Sequence, residues 1–146
     1  MVMTFTKPTL RLSTSQHATI IGWCYDGLPD EACGLLLGPL ASNGEPTGVI
    51  TEARPCTNAD ASARTYTVEP RDLLAAMRAA EERGDEIVGV WHSHTHSDPY
   101  PSPTDVRQAV DPAWLYVIIS LRDEAPMLRS YRIVDEKIAE TAVVLT

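Results

Sequence analysis

A chain of 146 residues, 44% hydrophobic and 22% charged, has the size and balance of one globular domain and can bury a core without disulfide or metal staples. The net charge of −8, spread without an acidic tail, excludes the basic patch that grips a phosphate backbone, so no nucleic-acid partner is expected. Three cysteines (Cys24, Cys33 and Cys56) with no C-x-x-C pair exclude a disulfide framework and a four-cysteine zinc site, and read instead as small buried apolar residues.

Residues 1–9 read as a loose leader, and the segment up to Pro8 lacks the apolar stretch of a signal peptide. No later run approaches the ~20 apolar residues of a membrane span, so no membrane association is expected and the location expected is the cytoplasm. Ser13–Asp26 is the first predicted helix: Ser13 and Gln16 fit a capping box, Ile20, Ile21, Cys24 and Tyr25 supply an apolar face, and Gly27 and Pro29 end it. Glu31–Gly38 follows as a buried strand, then a turn-rich loop over Pro39–Pro46 and a second strand over Val49–Cys56. Residues 57–65 are small and polar, a surface loop and a candidate cover for a site, and Tyr66–Val68 is a candidate short strand. Pro70 opens a helix reaching Arg83, with Leu73, Leu74, Met77 and Ala80 expected to face the core and Gly84 as the stop. Glu86–His94 reads as a central strand, Ser102–Asp111 as a short helix, and Leu115–Leu121, Leu128–Val134 and Lys137–Leu145 as three more strands. The sum is a single α/β domain over 1–146, a mixed β-sheet flanked by helices, without repeats or linkers.

The chemistry concentrates in WHSHTHSDPYPSPTD, residues 91–105. Side chains two apart on a strand share a face, so His92 and His94 can reach one ion. Asp105, in the first turn of the next helix, can converge on the same point. Two imidazoles and a carboxylate suit Zn²⁺, and three protein ligands leave a fourth position for water, the pattern of catalytic rather than structural zinc. A blander reading stands beside this one: Ser102 and Asp105 also form an N-cap pair for that helix. Glu31, beside Asp30, also reads as a solvated charge. His96 continues the i, i+2 series and Asp98 competes with Asp105 for the carboxylate position, although the spacing favours Asp105. His17 on the first helix reads as structural or exposed, and Cys33, two residues after Glu31, would share its face on a strand.

His92-x-His94, seven residues, Ser102, two residues and Asp105, with Glu31 upstream in Glu31-Ala32-Cys33-Gly34-Leu35-Leu36-Leu37-Gly38, resembles the JAMM (MPN+) zinc metalloprotease family. The resemblance runs through most of the chain, because helix, strand, long helix and motif strand come in the family's order. It implies the MPN/JAB, cytidine-deaminase-like fold, with Zn²⁺ on His92, His94 and Asp105. Glu31 would be the general base acting on the attacking water, and Ser102 a donor to the oxyanion. The chain departs from the commonest form at Thr95, where the family usually has proline. Pro29-Asp30-Glu31-Ala32-Cys33-Gly34 and Arg129-Ser130-Tyr131-Arg132-Ile133-Val134-Asp135 resemble a bacterial branch that releases cysteine from ubiquitin-like sulfur carriers. The implied partner is such a carrier with a C-terminal Gly-Gly, and a homodimer is open on the resemblance alone. The alternatives are a lysine isopeptidase of deubiquitinase type and a non-catalytic MPN scaffold. The nucleobase-deaminase and zincin motifs, H-x-E with P-C-x-x-C and H-E-x-x-H, are absent.

Overall fold

A computed structural model describes residues 8–146. Elements follow in the order β1 (Leu10–Leu12), α1 (Thr14–Asp26), β2 (Cys33–Gly38), β3 (Glu52–Cys56), α2 (Pro70–Arg83), β4 (Glu86–His94), α3 (Pro103–Gln108), β5 (Leu115–Ser120), β6 (Met127–Val134), β7 (Lys137–Thr141) and β8 (Val143–Leu145). Six strands form one mixed sheet in the order β3-β2-β4-β5-β6-β7, parallel between β4 and β5 and antiparallel elsewhere. No helix among the described residues is long and apolar enough to cross a membrane.

The sheet carries an apolar layer on each face, as strands buried on both sides require. On one face Ile20 and Cys24 of α1 pack with Trp91, Val117 and Ile119. On the other Ala76 and Ala80 of α2 pack with Leu35, Val90, Ile118 and Tyr131. The Ser13–Gln16 capping box forms as expected, and the Gln16 side chain also donates to the Ile50 carbonyl. In α2 the buried stripe differs from expectation. Leu73, Ala76 and Ala80 lie one above another on the sheet side, whereas Leu74 and Met77 fall outside that stripe and are about half exposed. The helix rests on alanines, which bring its axis close to the sheet. Its ends are as read: Pro70 in the first turn and Gly84 in the left-handed conformation, φ 73°.

Other boundaries move for local reasons. The leader expected over 1–9 lies largely outside the described residues. Directly after it β1 pairs in parallel with β8, so the expected last strand, Lys137–Leu145, breaks at Ala142 and sends its end to this separate two-stranded sheet. Tyr66–Val68 is not a strand; only an isolated bridge joins Val68 to Asn58. The helix expected over Ser102–Asp111 stops at Gln108, and Asp111 is held instead by Tyr116, whose hydroxyl donates to the Asp111 carbonyl at 2.7 Å and accepts its N–H at 3.1 Å. The strand expected from Glu31 starts at Cys33, and the one expected from Val49 starts at Glu52.

One irregularity positions the site. Where β2 pairs with β4, Leu36 lies opposite Gly89 and Leu37 opposite Ile87, so Val88 is an extra residue and β4 bulges there. At the bulge Val88 faces the α1 side; after it Val90 faces the α2 side and Trp91 the α1 side. The alternation continued from Val90 puts His92 and His94 on the α2 face at the strand's end. Gly89 makes the bulge affordable, because a Cβ there would run into the Leu115 carbonyl of the neighbouring strand.

Candidate metal centre

The end of β4 and the first turn of α3 bring His92, His94 and Asp105 together. The Nε2 atoms of the two histidines are 3.1 Å apart. Asp105 places Oδ1 at 3.2 Å from His92 Nε2 and Oδ2 at 3.0 Å from His94 Nε2. Three ligands about 2.0–2.1 Å from a tetrahedral ion would stand roughly 3.3 Å from one another, so the donor set fits Zn²⁺ in both chemistry and spacing. These are the residues whose ligand atoms cluster tightly enough to hold a metal among those described.

Each ligand is oriented by a residue behind it, as metal-binding histidines require. His94 Nδ1 lies 2.7 Å from the Asp98 carbonyl; an N–H held there leaves Nε2 as the nitrogen that would give up its proton to bind a metal. The loop carrying that carbonyl is fastened to the sheet. The Ser120 hydroxyl donates to the Ser97 carbonyl at 2.6 Å, the Tyr131 hydroxyl donates to the Pro99 carbonyl, and Arg122 pairs with the Asp98 carboxylate. Asp98 therefore serves the site through its backbone, and its carboxylate is engaged away from the cluster. His96 is exposed and outside the ligand set. His92 stacks on Tyr66, with ring centroids 4.3 Å apart and planes 22° from parallel.

The charges agree with this arrangement. Burial opposes ionisation of Asp105, but hydrogen bonds from His92 and His94 outweigh it and hold the carboxyl far below the usual carboxylate range. Burial lowers the His92 pKa. It also acts against His94, where hydrogen bonds to Asp105 and the Asp98 carbonyl win and raise it.

Ser102 forms the cap read from the sequence. Its Oγ accepts the Asp105 N–H at 3.1 Å, and Asp105 Oδ2 accepts the Ser102 N–H at 2.9 Å, a complete capping box at the start of α3. The cap is what locks Asp105 in place beside the histidines. A hydroxyl that accepts one bond keeps its proton to donate elsewhere.

Glu31 precedes β2 and is only 6% exposed. Its backbone is held from two sides: its N–H donates to the Ser62 carbonyl at 2.8 Å, and its carbonyl accepts from Asn58 Nδ2 at 2.9 Å. The next residue is tied to β4, where Ala32 N–H donates to Ser93 Oγ at 2.8 Å and the Ser93 N–H returns a bond to the Ala32 carbonyl at 3.0 Å. Glu31 shares a cavity of about 330 Å³ with His94, Thr95, Arg64 and Ser102. Burial, reinforced by Asp105 and Asp60 and opposed by His94, pushes its carboxyl up to about 7, into the range of a general acid–base group at neutral pH.

Glu31 lies just before β2, whose first residue is Cys33. Its thiol is buried with the α2-side core and burial pushes it up to about 12, which suits packing and not nucleophilic attack. His17 is half-buried on α1, outside the ligand set.

Two positioning residues were not read from the sequence. Asn58 organises the loop over residues 57–67: Nδ2 donates to the Glu31 and Thr65 carbonyls, and Oδ1 accepts from the Asp60 and Thr67 N–H groups. The Thr57-Asn58-Ala59-Asp60 stretch carries an Asx-turn signal, which announces the turn but not its bond to Glu31. For Tyr66 on His92 the sequence holds no signal.

The family model described as prokaryotic homologues of the JAB domain matches residues 13–134. The chain is 41% identical to the CysO-cysteine peptidase of Mycobacterium tuberculosis over 116 residues, 79% of this chain and 76% of that one. It is 33% identical to the desampylase of Haloferax volcanii over 120 residues, 79% of this chain and 83% of that one. The solution structure of a Desulfitobacterium hafniense protein, 30% identical, superposes with a TM-score of 0.80 over 93% of this chain and 92% of that one.

Proposed function

The chain belongs to the family of prokaryotic homologues of the JAB domain, and from that footing we propose that it is a Zn²⁺-dependent peptidase. The bond it hydrolyses is the amide after the C-terminal Gly-Gly of a ubiquitin-like sulfur carrier, and the product released is cysteine. One observation carries the hydrolytic reading: the two histidine Nε2 atoms, 3.1 Å apart, each face one Asp105 oxygen at 3.2 and 3.0 Å, beside a carboxyl that burial pushes up to about 7. The choice of substrate is supported by the 41% identity to a protein named CysO-cysteine peptidase.

When bound by His92, His94 and Asp105, Zn²⁺ supplies Lewis acidity, bringing the pKa of water down toward ~7 and polarising the scissile carbonyl. The chain's residues do the rest. Glu31 takes a proton from the attacking water. Burial holds its pKa close enough to neutrality for it to return that proton to the leaving amine. Ser102 Oγ, fixed by the Asp105 N–H, aims its own O–H at the oxyanion that forms as the carbonyl becomes tetrahedral. The bonds from Asn58, Ser62 and Ser93 hold Glu31 and Ala32 against the end of β4, so the base and the ligands keep one geometry.

Intact-mass spectrometry tests the reading. A Gly-Gly carrier bearing C-terminal cysteine is incubated with zinc-loaded wild type and with Glu31→Gln. Loss of the cysteine mass with wild type alone supports the proposal. Survival of the adduct with both overturns the substrate assignment and directs the assay to Gly-Gly–lysine isopeptides, the second reading, which the identity to a desampylase favours.

A further inference from the structure

The cavity that holds Glu31 has a second charged residue for which the mechanism has no use. Arg64 lines it on the side formed by Ala63, Thr95 and His96. Elsewhere on the chain Arg54, Arg83, Arg122 and Arg129 each pair with a carboxylate. Arg64 has no ion pair among the described residues, as is also true of Arg11, Arg71, Arg78 and Arg107, but of these only Arg64 lines the cavity of Glu31.

Its position is built rather than incidental. Ser62 Oγ accepts the N–H groups of Arg64 at 3.1 Å and Thr65 at 3.3 Å. The Ser62 carbonyl accepts the Glu31 N–H, so the residue that fixes the Arg64 backbone also fixes Glu31. On either side of Arg64, the Ala63 carbonyl accepts from Thr95 Oγ1 at 3.3 Å and the Thr65 carbonyl accepts from Asn58 Nδ2 at 3.0 Å. Arg64, an exposed residue, thus stands at the mouth of a cavity whose other titratable residues are Glu31, His94 and His96.

We infer that Arg64 binds the α-carboxylate of the amino acid that leaves, so that the site selects a single residue added to the carrier's C-terminus over a lysine side chain of a protein. This rests on the proposed peptidase reading, with the leaving amine on the Glu31 side. An amino acid joined through its α-amine has its carboxylate one carbon from the leaving nitrogen, and the carboxylate must enter the cavity with it. Without Arg64 it would meet Glu31 and Asp105 unscreened; with Arg64 it gains a planar fork of donors suited to a carboxylate. A lysine Nζ at the same place brings methylenes and no anion, and leaves the guanidinium unanswered.

The test compares two carrier adducts, one ending in cysteine with a free carboxylate and one in cysteinamide. Both are cleaved by zinc-loaded wild type, Arg64→Ala, Arg64→Lys and Arg64→Glu, and both are titrated calorimetrically into Glu31→Gln and the Glu31→Gln, Arg64→Ala double variant. The expected acid-to-amide ratio of kcat/KM is about tenfold or more in wild type, near one in Arg64→Ala, below one in Arg64→Glu and largely restored in Arg64→Lys. Binding to the Glu31→Gln pair should follow the same order. A ratio kept by Arg64→Ala, or equal cleavage of both adducts by wild type, overturns the carboxylate site and leaves the peptidase reading standing. Acid-selective binding without cleavage of either adduct by wild type overturns the peptidase reading and supports the carboxylate site.

Discussion

Two regions meet at the candidate site, and they are held in place by different kinds of interaction. The segment from His92 to Asp105 is local: a strand end, a short loop and a capped helix start, with ligands fixed by spacing and by a capping box. The loop over residues 57–67 has no regular structure beyond one isolated bridge. It acts through bonds to distant residues, from Asn58 to Glu31, Ser62 to Glu31 and Ala63 to Thr95. The first region supplies chemistry from residues close in sequence. The second supplies placement, and its effect on Glu31 depends on how the whole sheet brings β2 beside β4.

Perturbing the first region should have the largest effects. His94→Ala and Asp105→Ala should lose bound zinc by elemental analysis and lower the hydrolysis rate by on the order of 10³-fold or more. Glu31→Gln should keep one equivalent of zinc while its rate falls roughly 10²–10⁴-fold, which separates base from ligand. If that variant lost its metal, Glu31 would belong with the ligands.

The stability of the metal-free protein carries the next effect. The folded Glu31 carboxyl stands at about 7, above its ordinary value of 4.5, so between these limits the folded state binds the extra proton. Stability should therefore fall as pH rises from about 4.5 to about 7. Relative to wild type, Glu31→Gln should gain roughly 2–3 kcal/mol over that range, measured by urea denaturation in chelator. A difference that stays flat with pH would place the carboxylate in a solvated environment.

Asn58→Ala sharpens the comparison on the other side. Removing a side chain that makes four hydrogen bonds should cost about 1–3 kcal/mol. It should slow hydrolysis roughly tenfold with zinc retained, because the base loses an anchor and the ligands do not. An unchanged rate would show that β2 alone positions Glu31.

The same contrast explains what could be read from the sequence. Helix caps at Ser13, Gly84 and Ser102, the proline start at Pro70, the central strand and the i, i+2 histidines are set by local chemistry, and each is where the residues predicted. Val88 escaped because a bulge leaves no mark in a run of apolar residues, although it decides which face His92 and His94 take. Leu74 and Met77 were assigned to the core on hydrophobicity, whereas the close fit of Ala76 and Ala80 against the sheet leaves them at the rim. The break at Ala142 follows from pairing with β1, more than a hundred residues away in the chain. Asn58 and Tyr66 act through contacts with other elements, which spacing along the chain does not encode.

The most direct test is a crystal of the zinc-soaked protein measured at the zinc absorption edge. The account predicts one strong anomalous peak about 2.0–2.1 Å from His92 Nε2, His94 Nε2 and an Asp105 carboxylate oxygen, with Glu31 outside bonding distance. A peak coordinated by His96 or the Asp98 carboxylate, or no peak between the two histidines, would contradict it.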